Sequence, residues 1–258
     1  MKTRKFVAII TAGIMLLSIG TVNAFAAEPT LSDSRIDAAI QAYCSSDDFT
    51  LEGLQAKFPE FYAACQREYA QDALMIQSIQ NNLGAMLAAG QQIAATDIKC
   101  NEAVYRDSTL GTYGDILVSL AVDSGSFGFA GHAAIVSDSR YETIESYAKS
   151  FSPIDKDGVQ IYDNDWGATA GSLLLRPYGA TYSDYCGAVD FAETKIGLPY
   201  NWNFLNKNAT DKYYCSQLVW QAWLDVGINI ETGSIPNAII APADLVNSSN
   251  TYLVAHIT

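Results

Sequence analysis

The chain has 258 residues, with 28 Asp+Glu against 15 Lys+Arg and a net charge of −13. With 49% hydrophobic residues it can bury a full domain core. Its acidic balance excludes nucleic acid and anionic lipid as partners held by charge.

The N-terminus reads as an export signal. Lys2, Arg4 and Lys5 precede an apolar and small-residue run from Phe6 to Gly20, and small residues then offer cleavage near Ala24 or Ala26. The run is shorter than the roughly 20 residues a membrane span needs. No cysteine sits at the junction, so neither a lipoprotein anchor nor a stable membrane anchor is expected. Residues 1–26 are thus expected to be a signal peptide, leaving a secreted or envelope-associated bacterial protein.

Residues 27–98 read as helical. Ser32 or Asp33 is placed to cap a helix ending near Cys44, and Thr50 to cap a short one before Pro59. Beyond Pro59, the spacing of Phe61, Cys65, Tyr69, Ala73, Ile76, Ile79, Leu83 and Leu87 predicts one long amphipathic helix, weakened at Gly84 and Gly90. From about residue 99 the period changes to short apolar runs at 115–121, 132–137, 141–147, 159–162 and 172–176. Helical stretches at 184–196 and 215–226 follow, and a last strand at 252–257. Strands first and helices later imply an α+β domain over 99–258 built on an antiparallel sheet.

The five cysteines are Cys44, Cys65, Cys100, Cys186 and Cys215. An odd number in an exported chain leaves at least one unpaired within the molecule. Cys44 with Cys65 is the first disulfide to test, although all four besides Cys215 could equally be buried thiols. No Cys/His cluster has zinc spacing, so no metal is expected. Cys215 stands apart because YYCSQLVW (Tyr213 to Trp220) puts it at the mouth of an apolar helix. There the unpaired N–H groups and the positive dipole end favour a thiolate and could hold an oxyanion.

A thiol nucleophile needs a base and an orienting group. The chain has two histidines. His256 lies near the C-terminus and reads as incidental. His132 opens the strand HAAIV behind Gly131. A hairpin with Asp138-Ser139 at its tip would set Val136 against Tyr141 and His132 directly opposite Glu145, on one face. Glu142 falls on the other face and is the lesser candidate.

These residues resemble a family. GLPYNW (Gly197 to Trp202), YYCSQLVW, Gly227-Ile228 and APADL (Ala241 to Leu245) look like the first half of an NlpC-type papain-like peptidase, and GDILV (Gly114 to Val118) with GHAAIV (Gly131 to Val136) like its second. The second half comes first, which is similar to the circularly permuted YiiX/YycO-like amidases. TIES at 143–146, Gly158-Val159 and LLLRP at 173–177 match that branch too. The resemblance implies a permuted papain-like domain with a central antiparallel sheet and a Cys-bearing helix, preceded by a small helical region. It implies Cys215 as nucleophile, His132 as base and Glu145 as orienting acid, in a cysteine amidase or peptidase needing no cofactor. It also points to Tyr200, Ser216 and Tyr214 beside the oxyanion or substrate, and to a peptide or peptidoglycan-derived substrate. Unpermuted relatives often carry Asp before the cysteine to read a free amine, where this chain has Tyr214. Asn201-Trp202-Asn203 replaces their glycine pair. The alternatives are an acyl-lipid hydrolase or acyltransferase of the same fold, and a non-catalytic wall-binding module.

Overall fold

The computed structural model describes residues 34–95, 105–120, 130–231 and 239–258. The signal-peptide expectation and Cys100 lie outside them. Three helices come first: α1 (Ser34–Cys44), α2 (Leu51–Lys57) and α3 (Pro59–Ala94). The Thr50 side chain accepts from the Gly53 N–H at the start of α2, and Pro59 occupies the first turn of α3, where its missing N–H costs nothing.

After a two-stranded hairpin, β1 (Tyr105–Arg106) and β2 (Thr109–Leu110), comes the main sheet. Its strands are β3 (Ile116–Ser119), β4 (His132–Val136), β5 (Glu142–Tyr147), β6 (Gly158–Asp163), β7 (Ser172–Pro177) and β8 (Thr251–His256). They lie in the order β6-β5-β4-β3-β7-β8, and every pairing is antiparallel. Between β7 and β8 the chain forms α4 (Tyr182–Glu193), α5 (Cys215–Asp225) and α6 (Pro242–Asn247). The fold is therefore α+β, as the sequence implies.

Alternation along the strands divides the core. Ile116, Val118, Ile135, Ile144, Leu173 and Leu175 join the cluster that holds α4 and α5. Leu117, Ala134, Val136, Leu174 and Val254 face the other way, with Leu110 and Trp166. Asp115 and Arg176, both fully buried, bond through two nitrogen–oxygen pairs of 2.9 and 3.1 Å.

The long helix departs from its pattern at two places. Ala73 is exposed and its neighbour Asp72 is buried, because the Asp72 carboxylate accepts the Ala130 N–H at 2.8 Å, just before β4. Gly90 is no defect: a Cβ there would stand 1.8 Å from the Leu253 carbonyl oxygen, so its bare backbone lets α3 lie against β8. Cys44 and Cys65 are buried free thiols rather than a disulfide, and Cys186 and Cys215 are free as well.

Candidate active site

Cys215 is the first residue of α5, fully enclosed, where helix geometry leaves its N–H without an intrahelical partner. Gln217 secures this turn. Its amide oxygen accepts from the Tyr214 N–H at 3.1 Å, and its amide nitrogen donates to the Lys207 and Ala209 carbonyls. His132 is the first residue of β4, against which α5 packs, and its charge acts on the Cys215 thiol.

The hairpin register differs from the expected one. Ile135 pairs with Ile144 and Val136 with Thr143, two residues further along β5 than a two-residue tip would give. The Ser137 N–H donates to the Glu142 carbonyl at 3.0 Å, enclosing a four-residue loop at 138–141. A slip of two preserves the face of each side chain, whereas a slip of one would have reversed it. Glu145 therefore still points towards His132, now from a diagonal position, and its Oε2 meets His132 Nε2 at 2.7 Å. Continuing the register sets Tyr147 opposite His132, where the two rings stack with centroids 4.0 Å apart. Glu142 pairs with Asp163 at the far end of β5.

With Nε2 committed to Glu145, Nδ1 is the nitrogen left for the thiol. Burial alone would raise the thiol's pKa. The charge of His132, their hydrogen bond and the Ala133 N–H overcome this, and Cys215 is held below its ordinary 9.0. Burial acts on His132 to lower its pKa, but the thiolate and then Glu145 outweigh it and push it above 6.5. Burial likewise raises Glu145, yet its bonds to His132, Thr143 and Trp166 leave it lowered. The arrangement favours a thiolate–imidazolium pair, backed by a carboxylate.

Three of these partners were not singled out from the sequence. The Thr143 hydroxyl donates to Glu145, the Trp166 indole N–H donates to Glu145 Oε1 at 3.0 Å, and Tyr147 covers the imidazole. Thr143 and Tyr147 share the phase of Glu145 on β5, so strand alternation could have found them. Trp166 sits in a 3₁₀ turn after β6, and no local pattern ties it to Glu145.

The remaining expected site residues divide. Tyr200 forms a bridge with Tyr213 beside the cysteine turn, and burial followed by the Cys215 charge raises its hydroxyl's pKa well above the ordinary value. Tyr214 and Ser216 are fully buried, and their hydroxyls grip one residue. The Ile240 N–H donates to the Tyr214 hydroxyl at 3.0 Å, and Ser216 donates to the Ile240 carbonyl at 2.6 Å. They anchor the segment leading into α6, and Ser216 Oγ also lies 3.9 Å from Cys215 Sγ.

The family model of the permuted papain-like amidase enzymes, YaeF/YiiX type, matches residues 126–253. This segment belongs to that family of cysteine amidases. His132, Glu145 and Cys215 all fall within the amidase segment, and α1 to α3 fall outside it. The chain is also 27% identical over 113 residues to the protein YycO of Bacillus subtilis (strain 168), covering 42% of this chain and 45% of that relative. The matched stretch is thus less than half of the relative's length. No solved structure matches the chain.

Proposed function

We propose that this permuted papain-like amidase is a secreted hydrolase of amide bonds in cell-wall peptides, with Cys215 as nucleophile, His132 as base and acid, and Glu145 as the orienting carboxylate. The observation that carries the mechanism is the 2.7 Å bond from Glu145 Oε2 to His132 Nε2, with the charge of the same imidazole lowering the pKa of Cys215. A binding module gains nothing from burying a carboxylate to charge a histidine beside a thiol.

The Cys215 thiolate attacks the substrate carbonyl carbon and the C=O pair moves onto oxygen. The Cys215 N–H and the Tyr200 hydroxyl are the donors we assign to that oxyanion. Collapse of the intermediate expels the amine, which takes the proton from His132. Neutral His132 then removes a proton from water, whose oxygen attacks the thioester and releases the acid, restoring the ion pair. Glu145 stays ionised and fixes the imidazole's tautomer throughout.

Export follows from the leader-like N-terminus, and the envelope is where an exported bacterial amidase meets peptide amides. With Tyr214 turned inward onto Ile240, position 214 supplies no carboxylate for a free peptide amine. The substrate's stem is therefore read elsewhere than in the unpermuted relatives. The test is incubation with purified muropeptides and analysis for newly formed amines. Wild type releases them and Cys215→Ser does not. Release by the Cys215→Ser variant, or none by wild type, contradicts the proposal.

A further inference from the structure

The first helix lies outside the amidase segment, yet it reaches the loop beside the nucleophile. Asp37 and Gln41, four residues apart, share one face of α1. Gln41 spans the loop's backbone: its Nε2 donates to the Tyr200 carbonyl at 2.7 Å, and its Oε1 accepts the Trp202 N–H at 3.0 Å. Asp37 accepts from Asn203 Nδ2 at 2.8 Å and from the Lys212 ammonium. The Phe49 ring, beyond α1, packs on Trp202 with centroids 5.4 Å apart.

The loop's other side is tied to the cysteine turn. The Asn201 N–H donates to the Tyr213 carbonyl, and the Tyr213 N–H to the Pro199 carbonyl, both at 3.1 Å. The Tyr200 N–H is taken by Asp157 Oδ2 at 3.1 Å. Both peptide groups of Tyr200 are thus held by side chains distant in sequence, its N–H by Asp157 and its carbonyl by Gln41. A glutamine that closes two backbone bonds across three residues leaves that stretch little freedom to rotate.

We infer that Gln41 is a positioning residue for acyl transfer: it fixes the peptide of Tyr200, and through it the hydroxyl assigned above to the oxyanion. The N-terminal helix is then part of the catalytic unit and not merely an appended support. This rests on the role given to Tyr200 above.

Two reactions of Cys215 separate this role from general damage. Acylation by p-nitrophenyl acetate passes through a tetrahedral oxyanion and releases p-nitrophenolate. Alkylation by iodoacetamide displaces iodide and forms no oxyanion. Gln41→Met keeps the side chain's volume and removes both bonds. The expected result is acylation slowed about 10–100-fold, with Cys215 alkylation within about twofold of wild type. In a Tyr200→Phe background the same change should add little, because both act at one point. Wild-type acylation in Gln41→Met, a parallel fall in both reactions, or full additivity with Tyr200→Phe overturns the inference. A wild-type protein that alkylates but is not acylated contradicts the hydrolase reading itself, and the inference falls with it.

Discussion

At the scale of single residues, Glu145 reinforces the protonation that Cys215 and His132 set between them. It is buried and accepts from His132, Thr143 and Trp166, so it remains ionised and keeps the proton on the imidazole. The competent form exists above the pKa of Cys215 and below that of His132. The profile of kcat/KM against pH is therefore a bell, with its acid limb below 9.0 and its alkaline limb above 6.5. Glu145→Gln removes the second of the two negative charges that raise His132, after the Cys215 thiolate, and the alkaline limb should move down. An alkaline limb unmoved in that variant would show that Glu145 does not set the histidine. Trp166→Phe deletes one hydrogen bond to a charged carboxylate, worth about 1.5–3 kcal/mol. Its kcat/KM should fall about tenfold or more while its circular dichroism is unchanged. The carboxylate was legible from strand alternation, because parity survives an error of two in register. The indole was not, since its contact depends on a turn that only the folded sheet brings near.

At the scale of elements, helix ends and strand phases follow from local chemistry, and departures mark contacts with distant chain. Thr50 and Pro59 announce the helix starts by capping and by φ restriction. Nothing near Asp72 announces that its carboxylate will be buried on the Ala130 N–H, with its second oxygen lacking a hydrogen-bond partner among the described residues. Burial, reinforced by the charge of Asp244, raises the Asp72 carboxyl from 3.8 to about 6. A raised carboxyl destabilises the fold above its folded pKa, and that cost is relieved as pH falls from about 6 towards 3.8. Asp72→Asn should therefore be more stable than wild type at about pH 8, with the gap roughly halved by about pH 5 in urea unfolding. A gap equal at both values would contradict the assignment. Gly90→Val, pressing on the Leu253 carbonyl oxygen, should cost about 1–3 kcal/mol or more, read as a lower Tm.

At the scale of the molecule, the sheet completes a site whose parts are far apart in sequence. The base and its carboxylate come from neighbouring strands, the nucleophile from a helix about 80 residues later, and the loop bearing Tyr200 is held from α1. The order of these parts was legible because each carries a short motif of its own. The contact of α1 with the Tyr200 loop was not, since Gln41 lies on a polar helix face that reads as solvated. The central claim is that the fold stores Cys215 as a thiolate against a charged His132. The direct measurement is the rate of iodoacetamide labelling at Cys215, mapped by peptide mass, across pH in wild type and in His132→Ala. The account predicts labelling well below the ordinary thiol value of 9.0 in wild type, and a rate at least about tenfold lower at neutral pH in the variant. Equal rates in the two proteins, with both midpoints near 9.0, would contradict it.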